Sequence, residues 1–325
     1  MNKDSKILVT GAVGFLGRHV CEELRSRGYL NIIECANSHT STPYYIDSRT
    51  GVHHCDLREK GSCGALITHN VPDVVIHLAA RVGGIGANQE YPGTFIHDNL
   101  IMGVNLINSC KHYVQKFVLA GTVCSYPKYA SVPFEESKIW DGYPEETNAP
   151  YGVAKKTLTV MLEAYRSQYG LNGITAIPVN MYGPHDNFKP ESSHVIPALI
   201  KKIEEAGTSG DLEIWGTGNA SREFLHVRDS ARGIVMAAES YNDPSPVNLG
   251  TYDEIKICDL VQMLREIMGH QGKVDYNRDK PDGQPRRCLL TSKAKTKFGF
   301  SAEIPLREGL EETVHWYLSN KEVAV

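Results

Sequence analysis

Tyr151 and Lys155 stand four residues apart in Tyr151-Gly152-Val153-Ala154-Lys155, a spacing that sets both on one face of a helix. A free phenol has a pKa of about 10 and is a poor acid or base at neutral pH. A neighbouring ammonium favours the phenolate and brings proton transfer into range. Pro150 precedes the pair, and Thr122 lies just beyond the apolar run Lys116 to Ala120. A hydroxyl at the C-terminal end of such a strand faces the ligand crevice of a doubly wound sheet. Thr122 can then hydrogen-bond the substrate oxygen that Tyr151 protonates. This is proton chemistry at a single oxygen, of the kind that accompanies hydride transfer.

A place for a hydride carrier lies near the start of the chain. Gly11-Ala12-Val13-Gly14-Phe15-Leu16-Gly17 follows the apolar run Ile7 to Val9 and opens a helical pattern. The first glycine allows the tight turn, the second lets the backbone approach a pyrophosphate, and the third lets the helix sit close to the strand. The helix N-terminus adds free N–H groups and partial positive charge for phosphates. Gly11, Val13, Gly14, Phe15, Leu16 and Gly17 are therefore the expected dinucleotide contacts. An acidic residue just past the second strand would bind a ribose 2′-hydroxyl and select NAD(H). The sequence there reads Cys35-Ala36-Asn37-Ser38-His39, without an acid and without Arg or Lys. NADP(H) is favoured, with Asn37, Ser38 and His39 as donors to its phosphate. NAD(H) is the alternative, served by Glu34 if the strand ends early. Asp56 and Leu57, after the strand-like His53 to Cys55, are candidates to meet the adenine.

The elements that must position these groups follow an alternating rhythm. Strand-like runs at Ile7 to Val9, Asn31 to Cys35, Val74 to Leu78, Lys116 to Ala120 and Ile174 to Pro178 are separated by helical patterns at Phe15 to Arg27, Thr94 to Tyr113 and Ala154 to Tyr169. That alternation indicates an α/β chain with a Rossmann-like, doubly wound parallel sheet. After residue 180 the rhythm loosens, with loops at Gly183-Pro184, Lys189-Pro190, Gly216 to Gly218 and Pro281 to Pro285, and helices at Ile196 to Glu205 and Cys258 to Met268. The expected division is an NAD(P)-binding domain over 1–180, which also takes later segments near 224–250, and a smaller, mainly substrate-binding C-terminal lobe over 181–325.

Composition narrows the class. The 325 residues suffice for a substantial core. The net charge of -4, without a basic tail, argues against nucleic acid or an anionic membrane as partner. No apolar stretch approaches the roughly 20 residues that span a bilayer. Met1 to Lys6 is polar and lacks the apolar core of a signal peptide. Eight cysteines without a CxxC pair or metal-like spacing suggest reduced thiols, no metal and a cytoplasmic address. Cys21, Cys63, Cys110 and Cys258 read as small buried filler.

The glycine turn, His77-Leu78-Ala79-Ala80, Thr122 and Tyr151 to Lys155 occur in the order of the extended short-chain dehydrogenase/reductase family, which the chain resembles. Within that family it is most similar to the GDP-L-fucose synthases, or GDP-4-keto-6-deoxymannose epimerase-reductases. That similarity is carried by Val82-Gly83-Gly84-Ile85, by Cys124 with Tyr126-Pro127-Lys128, and by Asn148 to Tyr151. It continues through Asn180 to Phe188, Ser193 to Leu199, Arg222 to Val227 and Lys280 to Arg286, nearly the whole chain.

The resemblance implies that Leu78, Ala79, Ala80, Tyr151 and Lys155 join the cofactor contacts, and that Cys124 and His194 exchange protons at C3 and C5 of a nucleotide-linked 4-keto sugar. Hydride then reaches C4 while Tyr151 protonates O4. Asn180, Lys201, Trp215, Arg222 and Lys280 are the implied contacts to the nucleotide-sugar, with GDP favoured. A homodimer through the helices at Thr94 to Tyr113 and Ala154 to Tyr169 is implied as well. Thr122 stands where the group has Ser, and Val123 and Ser125 also differ, which leaves room for a branch acting on a heptose or dideoxy sugar. The alternatives are a C4 reductase of such a GDP-4-keto sugar and a redox-neutral 4-epimerase. A 4,6-dehydratase is disfavoured, because Val123 and Cys124 occupy the places of its carboxylate pair.

Overall fold

The computed structural model describes residues 1–38, 42, 44–190, 192–280 and 283–324. His39 and the Pro281-Asp282 step lie outside the described residues. The chain opens with β1 (Ile7–Thr10), α1 (Phe15–Ser26), β2 (Ile32–Ala36), β3 (Tyr44–Ile46), β4 (His53–Cys55), α2 (Lys60–Asn70) and β5 (Val74–His77). It continues through α3 (Ile85–Glu90), α4 (Pro92–Cys110), β6 (Lys116–Ala120), α5 (Ala149–Tyr169), β7 (Asn172–Pro178) and β8 (Asn180–Tyr182). Then come α6 (Val195–Ala206), β9 (Leu212–Trp215), β10 (Ser221–His226), α7 (Val227–Ser240), β11 (Val247–Leu249), β12 (Glu254–Lys256) and α8 (Ile257–Met268). β13 (Val274–Asn277), β14 (Arg286–Arg287), α9 (Ser292–Phe298) and α10 (Leu306–Ser319) follow.

Eight strands form one sheet in the order β11-β7-β6-β5-β1-β2-β4-β3, parallel except for the β3–β4 edge pair. The chain starts at β1, winds outward to β2 and β4, then returns to the other side of β1 at β5. That reversal opens a crevice at the C-terminal ends of β1 and β5, where ligands of such sheets bind. Alternation along the strands feeds two cores. Ile7, Val9, Ile76 and Val118 pack with Val20 and Leu24 of α1 and with Ile234 and Val235 of α7. Leu8, Val75, Phe117 and Leu119 pack on the opposite face with Leu66 of α2, Leu106 of α4 and Leu158 of α5. Each such fully buried side chain contributes about 1.5–3 kcal/mol relative to exposure.

Later segments build a third core, where Ile196 and Ile200 of α6, Ile214 of β9, Leu260 and Leu264 of α8 and Leu310 of α10 meet. β10 pairs with β8, β12 and β14, and β9 pairs with β13. α7 returns to pack on α1, and β11 extends the large sheet beside β7. Two expectations are corrected. Cys258 is half-exposed, because it lies on the first turn of α8 beside Asp259 while Leu260, Val261 and Leu264 take the core face. β2 runs to Ala36, so Glu34 sits within the strand, where it pairs with Arg25 of α1. It is not the acid that would follow a strand and read a ribose. No helix among the described residues is long and apolar enough to cross a membrane.

Candidate active site

The glycine turn is built by close approach. Gly11 has φ +71, and a Cβ there would come within 2.9 Å of the Ala79 amide nitrogen. A Cβ on Gly17 would stand 2.0 Å from the Gly11 oxygen, so only glycine lets α1 start this near β1. A Cβ on Gly14 would meet only the Gly11 oxygen, at 3.2 Å, which leaves the turn's outer side open to a ligand. Thr10 Oγ1 bonds His77 Nδ1 at 2.8 Å and accepts from the Ala79 amide at 3.3 Å. That pair ties the turn to Leu78, Ala79 and Ala80 beyond β5. Arg18 donates Nε to the Val13 carbonyl at 2.8 Å, which places a guanidinium at the turn. These features fit a dinucleotide. Asn37 follows the end of β2, and Ser38 donates to the Thr42 carbonyl at 2.6 Å. Asp56 is held by Arg58 at 2.8 Å, which keeps its carboxyl below the usual range, and Leu57 is buried.

The second half of the site forms where β6 ends. Thr122 begins a short 3-10 turn over Val123–Ser125, and its hydroxyl accepts from the Cys124 amide at 3.2 Å. α5 starts at Ala149, with Pro150 in its first turn where a missing N–H costs nothing. Tyr151 is therefore already helical. Gly152 packs against the Cys124 carbonyl, and Ser125 Oγ donates to the Gly152 carbonyl at 2.9 Å. Thr122, Cys124 and Tyr151 are thereby brought together. Burial pushes the Tyr151 phenol up, the Cys124 side adds to that, and a hydrogen bond from Thr122 opposes it. Lys155, one turn on, is 2% exposed. Burial brings its ammonium down to about 8.

His194 caps α6 by position, but its side chain makes no capping hydrogen bond. The preceding segment leans on the Val82 to Ile85 loop, with the Gly84 amide donating to the Ser192 carbonyl at 3.0 Å. The residue is exposed, yet the protein packed around its imidazole desolvates it and pushes its pKa down, and the charge of Arg287 adds to that effect. Arg287 also reaches Cys124, Nη1 to Sγ 3.8 Å. With Arg18 at the glycine turn, it is a neighbour of the site that sequence reading missed. It follows directly on the run Lys280 to Arg286, so the signal lay one residue further along.

Among the other candidates, Asn180 on β8 donates Nδ2 to the Glu223 carbonyl at 2.8 Å. Trp215 ends β9 and is 54% exposed, so it is not core. Lys280 lies 5.2 Å from its ring centroid, and Lys202 lies 5.6 Å from it. Lys201 is half-buried on α6. Arg222 on β10 stands opposite Arg287 in the parallel pairing with β14.

Residues 7–250 match the NAD dependent epimerase/dehydratase family. The chain belongs to that family. This epimerase/dehydratase is 37% identical to GDP-L-fucose synthase 1 of Arabidopsis thaliana over 322 residues, covering 98% of this chain and 95% of that relative. A crystal structure of a GDP-L-fucose synthetase from Naegleria fowleri bound to NADP superposes with a TM-score of 0.86 at 27% identity, covering 100% of this chain and 97% of the other. A GDP-6-OMe-4-keto-L-xylo-heptose reductase from C. jejuni superposes with a TM-score of 0.87 at 26% identity, covering 98% and 99%.

Proposed function

We propose that the protein is an NADPH-dependent epimerase-reductase of a GDP-linked 4-keto-6-deoxy sugar, of the GDP-L-fucose synthase type. The observation that carries this reading is that Cys124 lies beside the Thr122 and Tyr151 hydroxyls and within reach of Arg287, whose charge also acts on His194. The extended similarity to a GDP-L-fucose synthase supports the sugar and the nucleotide.

In this mechanism Thr122 and Tyr151 hold the O4 oxygen. The keto group acidifies the carbons beside it, and Cys124 and His194 take and return protons there. NADP(H), when bound along the glycine turn and Leu78 to Ala80, supplies the hydride. Tyr151, kept protonated by burial, then donates to O4, and the Lys155 ammonium stabilises the phenolate that remains. NADP(H) over NAD(H) is supported by the pairing of Glu34 with Arg25 and by the guanidinium of Arg18 at the turn. Residues 1–180, with the segments near 224–250, serve the cofactor, and most of 181–325 serves the sugar nucleotide. There Arg222 faces the diphosphate, Trp215 and Lys280 pack on the base or sugar, and Asn180 and Lys201 complete the contacts.

A homodimer through α4 and α5 is supported by exposed Val104, Tyr113 and Val160 on or next to those helices. A cytoplasmic address is supported by eight cysteines that form no disulfide. The second reading, a C4 reductase of a related GDP-4-keto sugar, is favoured by the match to the heptose reductase. Incubation with GDP-4-keto-6-deoxymannose and NADPH decides first. Loss of NADPH absorbance is expected, and no loss with any GDP-4-keto sugar would sink both readings.

A further inference from the structure

Arg287 reaches the site from the far end of the chain and is held there on two sides. Its Nε stands 3.4 Å from Gln284 Oε1. Gln284 is buried and donates Nε2 to the Lys128 carbonyl at 3.0 Å, in the loop that follows Cys124. Two residues beyond Arg287, the Leu289 amide donates at 2.6 Å to the carboxyl of Glu223. That carboxyl is fully buried and also accepts from the Thr251 and Tyr252 amides, at 2.5 and 2.9 Å. The short strand carrying Arg287 is thereby pinned against β10. Among the described residues, the guanidinium's side-chain contacts are a neutral amide and the Cys124 sulfur, neither of which neutralises its charge.

We infer that Arg287 is a positioning residue for Cys124: its guanidinium holds the sulfur at the cleft and is the counter-charge of the thiolate that accepts a substrate proton. The inference deepens the epimerase-reductase reading and rests on it for the role of that proton. The physical case is general. The thiolate is the reactive form of cysteine, and an arginine donor favours it. Hydrogen bonds between ionised partners are also roughly twice as strong as neutral ones. The same charge disfavours an imidazolium at His194.

The test is labelling of Cys124 by iodoacetamide at neutral pH, in a Cys258→Ser background because Cys258 is the other half-exposed thiol. Arg287→Gln is expected to slow labelling by about tenfold or more, with Arg287→Lys restoring part of the rate. A merely structural role would not be rescued by the shorter cation. Should Arg287→Gln lose its fold, judged by circular dichroism, Gln284→Ala provides a second measure, since it releases the guanidinium without removing it. Slower labelling is expected there too. Labelling at the parent rate in the folded Gln variant, or in Gln284→Ala if the first does not fold, overturns the inference. Labelling requires neither sugar nor cofactor. If Arg287→Gln slows it while the parent exchanges no protons at C3 or C5, the proposed reaction fails and the Arg287–Cys124 relationship stands.

Discussion

A Cβ on Gly152 would lie 2.2 Å from the carbonyl oxygen of Cys124. The first turn of α5 and the 3-10 turn after β6 are therefore in backbone contact, and this contact sets how far Tyr151 stands from Cys124. Gly152→Ala must push them apart. Overpacking of this kind costs roughly 1–3 kcal/mol. Displacement of a reacting group by about 1 Å can cost about 10²-fold in rate. The expected result is a fall in kcat of that order with NADPH binding retained, measured by steady-state kinetics and fluorescence titration. An unchanged kcat would contradict the role given to this contact.

This contact also marks how much was legible in the sequence. The glycine turn and the Tyr-Lys pair are local patterns, each readable within a few residues, and the parallel sheet follows from long apolar runs between helices. The helical pattern was legible from Ala154 on, whereas α5 starts at Ala149, with Pro150 tolerated in its first turn. The late strands are short, and β10 finds its partners in β8, β12 and β14, far apart in sequence. Arg287 meets Cys124 across 163 positions, and nothing local to either residue encodes that meeting.

Asp186 should make stability depend on pH. Its carboxyl is buried, Oδ1 accepts from the Asn187 amide at 2.7 Å, and Oδ2 has no hydrogen-bond partner among the described residues. Burial pushes it up to about 7. The folded state then holds a proton that the unfolded chain has already released, so stability falls as pH rises from about 4 to about 7 and stays lower above that. Each unit of such a shift is worth about 1.4 kcal/mol. Asp186→Asn should raise Tm above the parent at pH 8, with little gain at pH 4. An equal effect at both would contradict this.

Arg18 should tune the cofactor. Its guanidinium lies at the glycine turn, and Glu34 is tied to Arg25. Removing a charged donor to a phosphate costs about 1.5–3 kcal/mol, or roughly ten- to a hundredfold in Kd. Arg18→Ala is expected to weaken NADPH by that much and to leave NADH little changed, by fluorescence titration. Equal weakening of both cofactors would remove Arg18 from phosphate recognition.

Trp215 should act on substrate affinity alone. It is exposed, with Lys280 beside its ring. Trp215→Ala is expected to raise KM for the GDP-sugar about tenfold with kcat nearly unchanged, the signature of binding shared by ground and transition states. A fall in kcat with KM constant would place it in the chemistry instead.

The central claim is that one site moves protons beside a keto group and also completes a reduction. Its most direct test is the reaction of GDP-4-keto-6-deoxymannose with NADPH in deuterated water, with the product read by NMR. Deuterium at both C3 and C5 is predicted with the parent enzyme. Cys124→Ser and His194→Gln should lose that label, and Tyr151→Phe should keep exchange in the substrate while reduction falls by about 10²–10⁴-fold. NADPH consumption with ordinary hydrogen at both C3 and C5 of the product would contradict the account and leave a C4 reductase.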